Sequence, residues 1–217
     1  MRRAIEDHAR LLLAWSAAIN LTAVRDPAEV AVRHVVDSLA AIALLRQRSI
    51  VELVDLGSGG GYPGLPLAVA LPARRAVLVE SIGKKAAFLA TAVDATGLAS
   101  RVAVHAGRVE SLAIDERHRG RWACVTARAV GALAELVELA FPLLRPGGCL
   151  VAWKGRGVGV ELAAAERAAA ALGSGAIEVH DVDVTDLHGH RLVVATKRGA
   201  TPPGLPRDPA VRRREPW

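Results

Sequence analysis

Residues 51–66 read VELVDLGSGGGYPGLP, and this stretch decides the fold. An apolar run over 51–56 carries an acid near its end, Asp55. Glycine fills four of the next five positions, and two prolines then lead into the apolar segment LAVAL. Glycine permits positive φ and a close approach of ligand to backbone, and a helix behind such a turn offers free N–H groups. We therefore predict a strand, a tight turn and a helix that hold a nucleotide-like cofactor.

Strands and helices alternate from this stretch to about residue 197. The strand candidates are 51–56, 75–80, 101–105, 122–127, 148–153, 176–184 and 190–197, and the helix candidates between them are 65–71, 84–96, 131–144 and 158–172. This alternation predicts a doubly wound, mostly parallel α/β sheet. Only a short polar link, 186–189, separates the last two strands, which leaves no room for a helix. We expect these strands to pair antiparallel, as a hairpin at the edge of a seven-stranded sheet.

The segments on either side of the α/β region do not show this alternation of strands and helices. Apolar residues recur at helical spacing over 4–19, and Asp26-Pro27-Ala28-Glu29 is a helix start signal. The first fifty or so residues are therefore predicted to be helical. The end of the chain combines prolines with arginines, which predicts a tail that is flexible or laid over the surface. The predicted units are a helical cap (1–48), an α/β domain (49–198) and a basic tail (199–217).

Composition bounds the class of protein. A chain of 217 residues forms one domain, or one domain with an extension. No apolar run approaches the ~20 residues that a membrane-spanning helix needs, and no signal-peptide pattern is present, so we expect a cytoplasmic protein without membrane association. Cys124 and Cys149 lie in apolar runs, as buried free thiols of a reducing compartment do. The net charge of +6 is compatible with a polyanionic partner but does not require one.

Two acids discriminate among the cofactors. Sites for NAD, FAD and S-adenosylmethionine all use a glycine turn, so the turn alone leaves the choice open. Asp55 lies two residues before Gly57, where a carboxylate would repel a diphosphate but not a cofactor that carries an ammonium and a sulfonium group. Glu80, 23 residues beyond Gly57, ends the second strand, where an acid accepts hydrogen bonds from ribose hydroxyls. Together they favour S-adenosylmethionine, and a solvated strand-end acid is the alternative for each.

Further candidates follow the carboxyl ends of other strands, because ligands of α/β sheets bind there. Val109 and Glu110 follow the third strand, where an adenine ring would meet an apolar residue and a polar edge; core packing is the alternative for Val109. Arg128 ends the fourth strand, where a purely structural position would hold a small or apolar residue. Lys154 ends the fifth strand, and the alternative there is a lysine that extends to the surface.

These residues lie in a series of motifs that resembles the RsmG family, also called glucose-inhibited division protein B. The matching segments are NLTAVRDPAEVAVRHVVDSLA at 20–40, DLGSGGGYPGLPLAVALP at 55–72, LVESIGKKAAFL at 78–89, GRVESL at 107–112, TARAVGAL at 126–133, LLRPGG at 143–148, AWKG at 152–155 and the terminal RLVVATK. The series in order is far more specific than any single glycine motif. The family consists of class I, Rossmann-like methyltransferases that use S-adenosylmethionine to modify guanine N7 in the decoding-region loop of 16S ribosomal RNA. The resemblance implies that fold, with one antiparallel edge strand and a helical N-terminal cap.

The resemblance also implies roles for individual residues. With the acids above, the expected cofactor-binding set is Asp55, Gly57, Gly59, Gly61, Tyr62, Glu80, Val109, Glu110 and Arg128. The expected catalytic residues are Arg128, His34 and Lys154. Contacts with RNA are expected from Asn20, Arg33, Asp37 and Ser38 of the cap and from Lys84 and Lys85, which suit phosphates. No metal is expected. The implied partner is 16S ribosomal RNA, in the small ribosomal subunit or an assembly intermediate of it, and we expect a monomer.

The glycine turn departs from the family pattern. It reads SGGGYPG where the family more often has TGPGLPG, so that Gly60 stands in place of a proline and Tyr62 in place of an aliphatic residue. Because proline restricts the backbone and glycine does not, we expect a looser turn. Cofactor contacts in such turns are mostly made by the backbone, so we expect cofactor binding to be retained.

Methylation at guanine N7 agrees with the absence from this sequence of the catalytic motifs that other nucleic-acid methyltransferases require. N7 carries a free lone pair and no proton, so the reaction requires alignment of the reactants rather than a general base. The Asn/Asp-Pro-Pro-aromatic motif of amine methyltransferases is replaced here by TARA at 126–129, and Cys124 is interpreted as core rather than nucleophile. Two alternatives stay open. An NAD(P)-dependent oxidoreductase is opposed by Asp55 and by the lack of a Ser/Tyr-x-x-x-Lys relay, and a non-catalytic rRNA-binding protein is opposed by the near-intact glycine turn.

Overall fold

A seven-stranded sheet forms the centre of the computed structural model, which describes residues 1–184 and 187–217. The strands are β1 (Glu52–Leu56), β2 (Arg75–Glu80), β3 (Val102–Ala106), β4 (Trp122–Arg128), β5 (Leu144–Lys154), β6 (Ser174–Asp181) and β7 (Arg191–Lys197). Their order in the sheet is β3-β2-β1-β4-β5-β7-β6. The order of connection reverses between β1 and β4, and α/β sheets bind ligands outside the carboxyl ends of the strands at such a point.

The strand directions confirm the predicted mixed sheet. β1 pairs in parallel with β2 and β4, β2 with β3, and β4 with β5. β7 runs antiparallel to both β5 and β6, so the hairpin lies at the sheet edge, with the reversed strand one position inside the outermost strand. Asp186, the first residue of the predicted link, lies outside the described residues. Because β7 is reversed, its first residues lie beside the carboxyl end of β5, at the ligand-binding edge.

Helices cover both faces of the sheet. They are α1 (Arg2–Trp15), α2 (residues 27–39), α3 (Ile42–Gln47), α4 (Gly64–Ala70), α5 (Gly83–Ala95), α6 (Val109–Ile114), α7 (Leu133–Ala140), α8 (Gly159–Ala171) and α9 (Pro209–Arg214). Asp26 caps α2 by accepting a hydrogen bond from the N–H of Glu29 at 2.9 Å, as the start signal predicts. The middle of α2, Ala31–Val36, is π-helical. Such wide turns are frequent at functional sites.

Alternate residues of each strand supply two separate cores, because successive side chains of a strand point to opposite faces. On one face Leu53 packs with Leu12 of α1 and Phe88 of α5, in a cluster that also contains residues of α2, α3 and α4. On the other face Val54 packs in a cluster with Leu136 of α7 and residues of α6 and α8. The N-terminal helices therefore share one core with α4 and α5. The division of the chain at residues 48 and 198 stays a prediction.

Cys124 and Cys149 are register partners on β4 and β5, and both are free and buried. The hydrogen bond to Cys149 and burial both raise the pKa of Cys124, so its thiol keeps its proton at neutral pH. A protonated thiol inside the sheet is a poor nucleophile. The geometry is that of a core residue.

The C-terminal segment lies over the surface of α6 and α7, which is the second of the two predicted arrangements. We call residues 199–217 the C-terminal strap. Arg207 forms an ion pair with the fully buried carboxylate of Glu138 at 2.7 Å, and the indole N–H of Trp217 donates to the same carboxylate at 2.6 Å. Arg119 donates to the carbonyl of Leu205 at 2.8 Å. The strap is thus fixed at several points along its length.

Candidate active site

The glycine turn closes tightly between β1 and α4. Gly57 has φ of +62°, and a Cβ added there would lie 2.8 Å from a methyl group of Val130. Glycine is therefore required both for the backbone conformation and for the space. The N–H of Gly59 donates to the carboxylate of Glu80 at 3.0 Å, and that carboxylate also accepts from the N–H of Ile82 at 2.8 Å. Glu80 thereby ties the turn to the end of β2.

Asp55 lies beneath the turn and is 0 % exposed. Its carboxylate accepts hydrogen bonds from the Thr126 hydroxyl at 2.7 Å and from the N–H of Gly64 at 3.3 Å. Burial raises the pKa of Asp55 to about 6, against the opposing effect of these hydrogen bonds. The expected direct contact with the cofactor is corrected by this geometry: the carboxylate joins β1, β4 and the start of α4 and leaves the cavity walls to other residues.

A first cavity of about 250 Å³ lies beside the turn, at the carboxyl ends of β2, β3 and β4. Three residues of the predicted cofactor-binding set line it, Gly57, Val109 and Glu110, together with Val130 and with Arg212 of the C-terminal strap. Val109 is 9 % exposed and belongs to the core cluster, so the core-packing interpretation holds, and its contact with an adenine stays a prediction. The carboxylate of Glu110 forms an ion pair with Arg212.

A second cavity of about 370 Å³ lies on the other side of the turn. Its wall combines the glycines of the turn with side chains from four other places in the chain: Thr22, His34, Lys85 and Arg128. His34 Nε2 is hydrogen-bonded to the Thr22 hydroxyl at 2.7 Å. Burial and then the positive charge of Arg128 lower the pKa of His34, so its ring is neutral at pH 7. The π-helical part of α2 delivers this ring to the cavity.

Tyr62 lies between two histidine rings and fixes the end of the turn. Its ring stacks on His8 of α1 with centroids 4.5 Å apart and lies 5.0 Å from the ring of His34. His8 Nε2 also bonds the carbonyl of Gly60 at 2.7 Å, and burial lowers the pKa of His8 to about 4, so the neutral ring donates. A Cβ on Gly60 would lie 2.7 Å from Leu12. The expectation of a looser turn is therefore wrong, because α1 packs directly on it.

Arg128 forms a buried ion pair at the end of β4. Its guanidinium donates to the carboxylate of Asp37 at 2.7 Å and to the carbonyl of Arg33 at 3.1 Å. Asp37 is 2 % exposed, and its second oxygen bonds His190 Nδ1 at 2.8 Å. The guanidinium carbon lies 5.5 Å from the centroid of the Tyr62 ring. Residues of α2, β4, the β6–β7 hairpin and the glycine turn thus meet around one charged group.

A third cavity of about 310 Å³ lies beyond this ion pair, and Arg128, Trp153 and Lys154 line it. The ammonium of Lys154 donates to the carboxylate of Glu161 at 2.7 Å, so its charge is neutralised at the cavity edge. The indole N–H of Trp153 donates to the carbonyl of Asp37 at 2.8 Å. The three cavities share walls at the ends of β1 and β4, where Gly57 and Arg128 stand.

The residues expected to contact RNA divide into two groups. Asp37 and Ser38 are 2 % and 0 % exposed, and the Ser38 hydroxyl donates to the carbonyl of His34. The complete burial of Ser38 corrects its expected contact with RNA. Asp37 lines the third cavity and makes its hydrogen bonds inside the site, so an RNA contact of Asp37 stays a prediction. The other four are exposed or half-buried: Asn20, Arg33, Lys84 and Lys85. Within residues 1–184 and 187–217, no cluster of His, Cys, Asp and Glu is arranged to hold a metal ion, and no helix is long and apolar enough to cross a membrane.

The sequence reasoning missed three residues of the site. His190 directly precedes β7, and the antiparallel direction of β7 brings it to the carboxyl end of β5, where it bonds Asp37. That direction was itself predicted, so the signal was available. His8 and Arg212 lie in segments where only helical periodicity or positive charge is visible in the sequence. Nothing local indicates that His8 bonds the glycine turn or that Arg212 lines the first cavity.

The sheet order, the reversed β7 and the glycine turn after β1 define the class I methyltransferase fold. An O-methyltransferase from Bacillus cereus, solved in complex with SAH, has this fold: it matches with a TM-score of 0.62 at 18 % identity, over 88 % of this chain and 90 % of that chain. At this level of identity the likeness shows the fold alone.

The sequence comparisons define the family. The family model described as rRNA small subunit methyltransferase G (GidB) matches residues 1–188. A ribosomal RNA small subunit methyltransferase G of Rubrobacter xylanophilus is 42 % identical over 98 % of this chain and 82 % of its own length. One from Roseiflexus castenholzii is 41 % identical over 99 % of this chain and 92 % of its own. The chain belongs to the rRNA small subunit methyltransferase G family, which confirms the resemblance seen in its motifs.

Proposed function

We propose that this protein transfers the methyl group of S-adenosylmethionine to N7 of a guanine in 16S ribosomal RNA. The cofactor supplies a methyl group activated by a sulfonium centre. Membership of the family supports a small-subunit rRNA substrate. The observation that carries the proposal is the glycine turn at the switch point with a cavity on each side of it. An elongated nucleoside with an amino-acid tail can extend across such a turn.

The residues around the turn fit this cofactor. Gly57 lines the first cavity with its backbone, and a Cβ there would lie 2.8 Å from a methyl group of Val130, so a side chain at this position would disturb the cavity wall. Val109 offers an apolar wall for an adenine, and the Glu110 carboxylate offers an acceptor for its exocyclic amine. Glu80 uses its carboxylate for two backbone N–H groups, and a carboxylate has about four acceptor positions, so some remain for ribose hydroxyls.

The expected catalytic residues orient the reactants. Guanine N7 has no proton to lose and becomes positively charged, so a free cation beside it would be unfavourable. Arg128 is paired with Asp37, and Lys154 is paired with Glu161, so neither presents an uncompensated charge. We assign Arg128 to the cofactor carboxylate or an RNA phosphate, and Lys154 to the rim of the third cavity. His34 is neutral and held by Thr22, and it forms a fixed wall beside the reacting atoms.

The exposed members of the predicted RNA-binding set supply phosphate contacts: Asn20, Arg33, Lys84 and Lys85. A guanine in a folded loop must be exposed or flipped to reach the crevice. We further propose that the protein acts as a monomer in the cytoplasm on the small ribosomal subunit or an assembly intermediate. Methylation assays with radiolabelled cofactor on naked 16S RNA and on isolated subunits, at several salt concentrations, distinguish these substrates.

The decisive test maps N7-methylguanine in 16S RNA by chemical cleavage in cells with and without the gene. We expect cleavage at one decoding-region guanine that disappears on deletion and returns with the wild-type gene. Gly57→Ala should not restore it, whereas Gly159→Ala should, because a Cβ on Gly159 has no neighbour within 4 Å. An identical cleavage pattern with and without the gene would refute the proposed reaction.

Calorimetric titration separates this proposal from the two alternatives. The purified protein should bind S-adenosylhomocysteine and show no heat with NADPH; the reverse result would make it an oxidoreductase. A non-catalytic rRNA-binding protein would bind RNA equally well with and without cofactor, and deletion of the gene would leave the methylation map unchanged. Family membership favours neither alternative.

A further inference from the structure

The C-terminal strap reaches the first cavity through one side chain, Arg212. The Arg212 side chain is only 7 % exposed. It forms an ion pair with Glu110 of α6 and a second one with Glu135 of α7, at 3.3 Å. The same side chain lines the cavity together with Gly57 and Val109. The strap lies outside residues 1–188, which the family model matches.

The strap does not need Arg212 to stay in place. Arg207, near the middle of the strap, and Trp217, at its end, both hold the buried carboxylate of Glu138. The guanidinium of Arg207 also lies 4.6 Å from the centroid of the Trp217 ring. Arg212 also donates to the carbonyl of Arg207 within the strap. Because Arg207 and Trp217 hold Glu138 independently of Arg212, the strap keeps these attachments when the Arg212 side chain is removed.

We infer that Arg212 is a positioning residue that completes the adenine end of the cofactor site by orienting the Glu110 carboxylate. This inference rests on the proposed function. One oxygen of Glu110, Oε1, is bound to Arg212, and no hydrogen bond of Oε2 is formed among the described residues. Oε2 is thus left to accept from the exocyclic amine of an adenine. A carboxylate held in its binding orientation loses less side-chain freedom when the ligand arrives, which strengthens binding.

Two nucleosides that differ at position 6 of the purine ring test whether Arg212 acts through the hydrogen bond between Glu110 and the exocyclic amine. S-adenosylhomocysteine carries the exocyclic amine, whereas S-inosylhomocysteine carries at the same ring position a carbonyl oxygen, which accepts hydrogen bonds and cannot donate one; its donor is the neighbouring N1–H. Both are titrated calorimetrically into the wild type, Arg212→Ala and the matched control Arg214→Ala. Arg214 lies on the same helix, and its side chain is 74 % exposed.

We expect Arg212→Ala to bind S-adenosylhomocysteine about tenfold more weakly, which equals about 1.4 kcal/mol. Its affinity for S-inosylhomocysteine should change by less than about threefold, and Arg214→Ala should match the wild type with both ligands. In turnover assays the KM for the cofactor should rise while the KM for RNA stays unchanged. Unchanged binding of S-adenosylhomocysteine by Arg212→Ala, or an equal loss with both ligands, would overturn the inference.

Urea unfolding without ligand separates the inference from a loss of structure. If Arg212→Ala is unfolded, Arg212→Lys replaces it: this variant keeps the charge but loses the forked pair of contacts, and it should show the same selective loss at smaller size. Equal affinities of Arg212→Lys and the wild type for S-adenosylhomocysteine would then count against the positioning role. Failure of the wild type itself to bind S-adenosylhomocysteine would refute the proposed function instead.

Discussion

The glycine turn rests on two buried titratable groups whose effects on stability oppose each other. Asp55 is the first. Burial raises its pKa from 3.8 to about 6, so at pH values between these the native state holds a proton that the unfolded state has lost. The free energy of unfolding therefore falls as the pH rises through this window. At about 1.4 kcal/mol per pKa unit, the loss from this group is about 3 kcal/mol between pH 4 and pH 7.

His8 acts in the opposite direction. Burial lowers its pKa from 6.5 to about 4, and its hydrogen bond to Gly60 opposes this only partly. Between these values the unfolded state holds a proton that the native state excludes, so the free energy of unfolding rises with pH. The same conversion gives a gain of about 3 kcal/mol. In the wild type the two contributions nearly cancel between pH 4 and pH 6.5.

Removing either group should reveal the other. Asp55→Asn keeps the shape of the side chain without its titration, so its free energy of unfolding should gain about 3 kcal/mol relative to the wild type from pH 4 to pH 7. His8→Gln keeps a donor for the Gly60 carbonyl and should lose about 3 kcal/mol relative to the wild type over the same interval. Urea denaturation at half-unit pH steps measures both, with the exposed Asp94→Asn as the control. Parallel pH profiles for all four proteins would refute the reasoning.

Three other substitutions test the site. Arg128→Ala leaves Asp37 buried without its cation and should lower the free energy of unfolding in urea by about 3 kcal/mol, with a smaller loss for Arg128→Lys. Equal stabilities of Arg128→Ala and the wild type would mean that the carboxylate is hydrated. Tyr62→Phe removes a buried hydroxyl that has no hydrogen-bond partner among the described residues, so it should raise the free energy of unfolding by about 1 kcal/mol in thermal unfolding. A decrease in stability would show that the hydroxyl forms a hydrogen bond. Gly57→Ala should weaken calorimetric binding of S-adenosylhomocysteine at least about tenfold, because both φ and space demand glycine, whereas normal binding would place the cofactor elsewhere.

The sequence predicts well those structural features that depend on the residue pattern of a short segment of the chain. The strand, turn and helix over 51–66 follow from a pattern of apolar residues and glycines, and the alternation that follows it predicts the parallel sheet. The direction of β7 follows from the shortness of the link before it. These inferences succeed because backbone geometry is controlled locally, by residue type and by the length of the connections.

The ion pairs of the site could not be predicted in this way. Arg128 and Asp37 are 91 positions apart, and Arg212 and Glu110 are 102 apart. The sequence does not indicate whether an acidic side chain is exposed or buried. Burial of the Asp37 carboxylate is compensated by Arg128 and His190, which come from other elements, so it depends on the complete fold. For this reason the sequence offered Asp37 as an RNA contact, where the structure makes it the anchor of Arg128.

The turn itself shows why comparison at one motif is insufficient. With Gly60 in place of a proline, the motif alone predicts a looser backbone. In the folded protein the absence of a side chain at Gly60 lets Leu12 approach, and His8 holds the Gly60 carbonyl while stacking on Tyr62. The restraint that proline would supply within the turn is supplied here by α1 from outside it. The N-terminal helix and the glycine turn are therefore one packed unit, and we expect a substitution on the buried face of α1 to disturb the conformation of the turn.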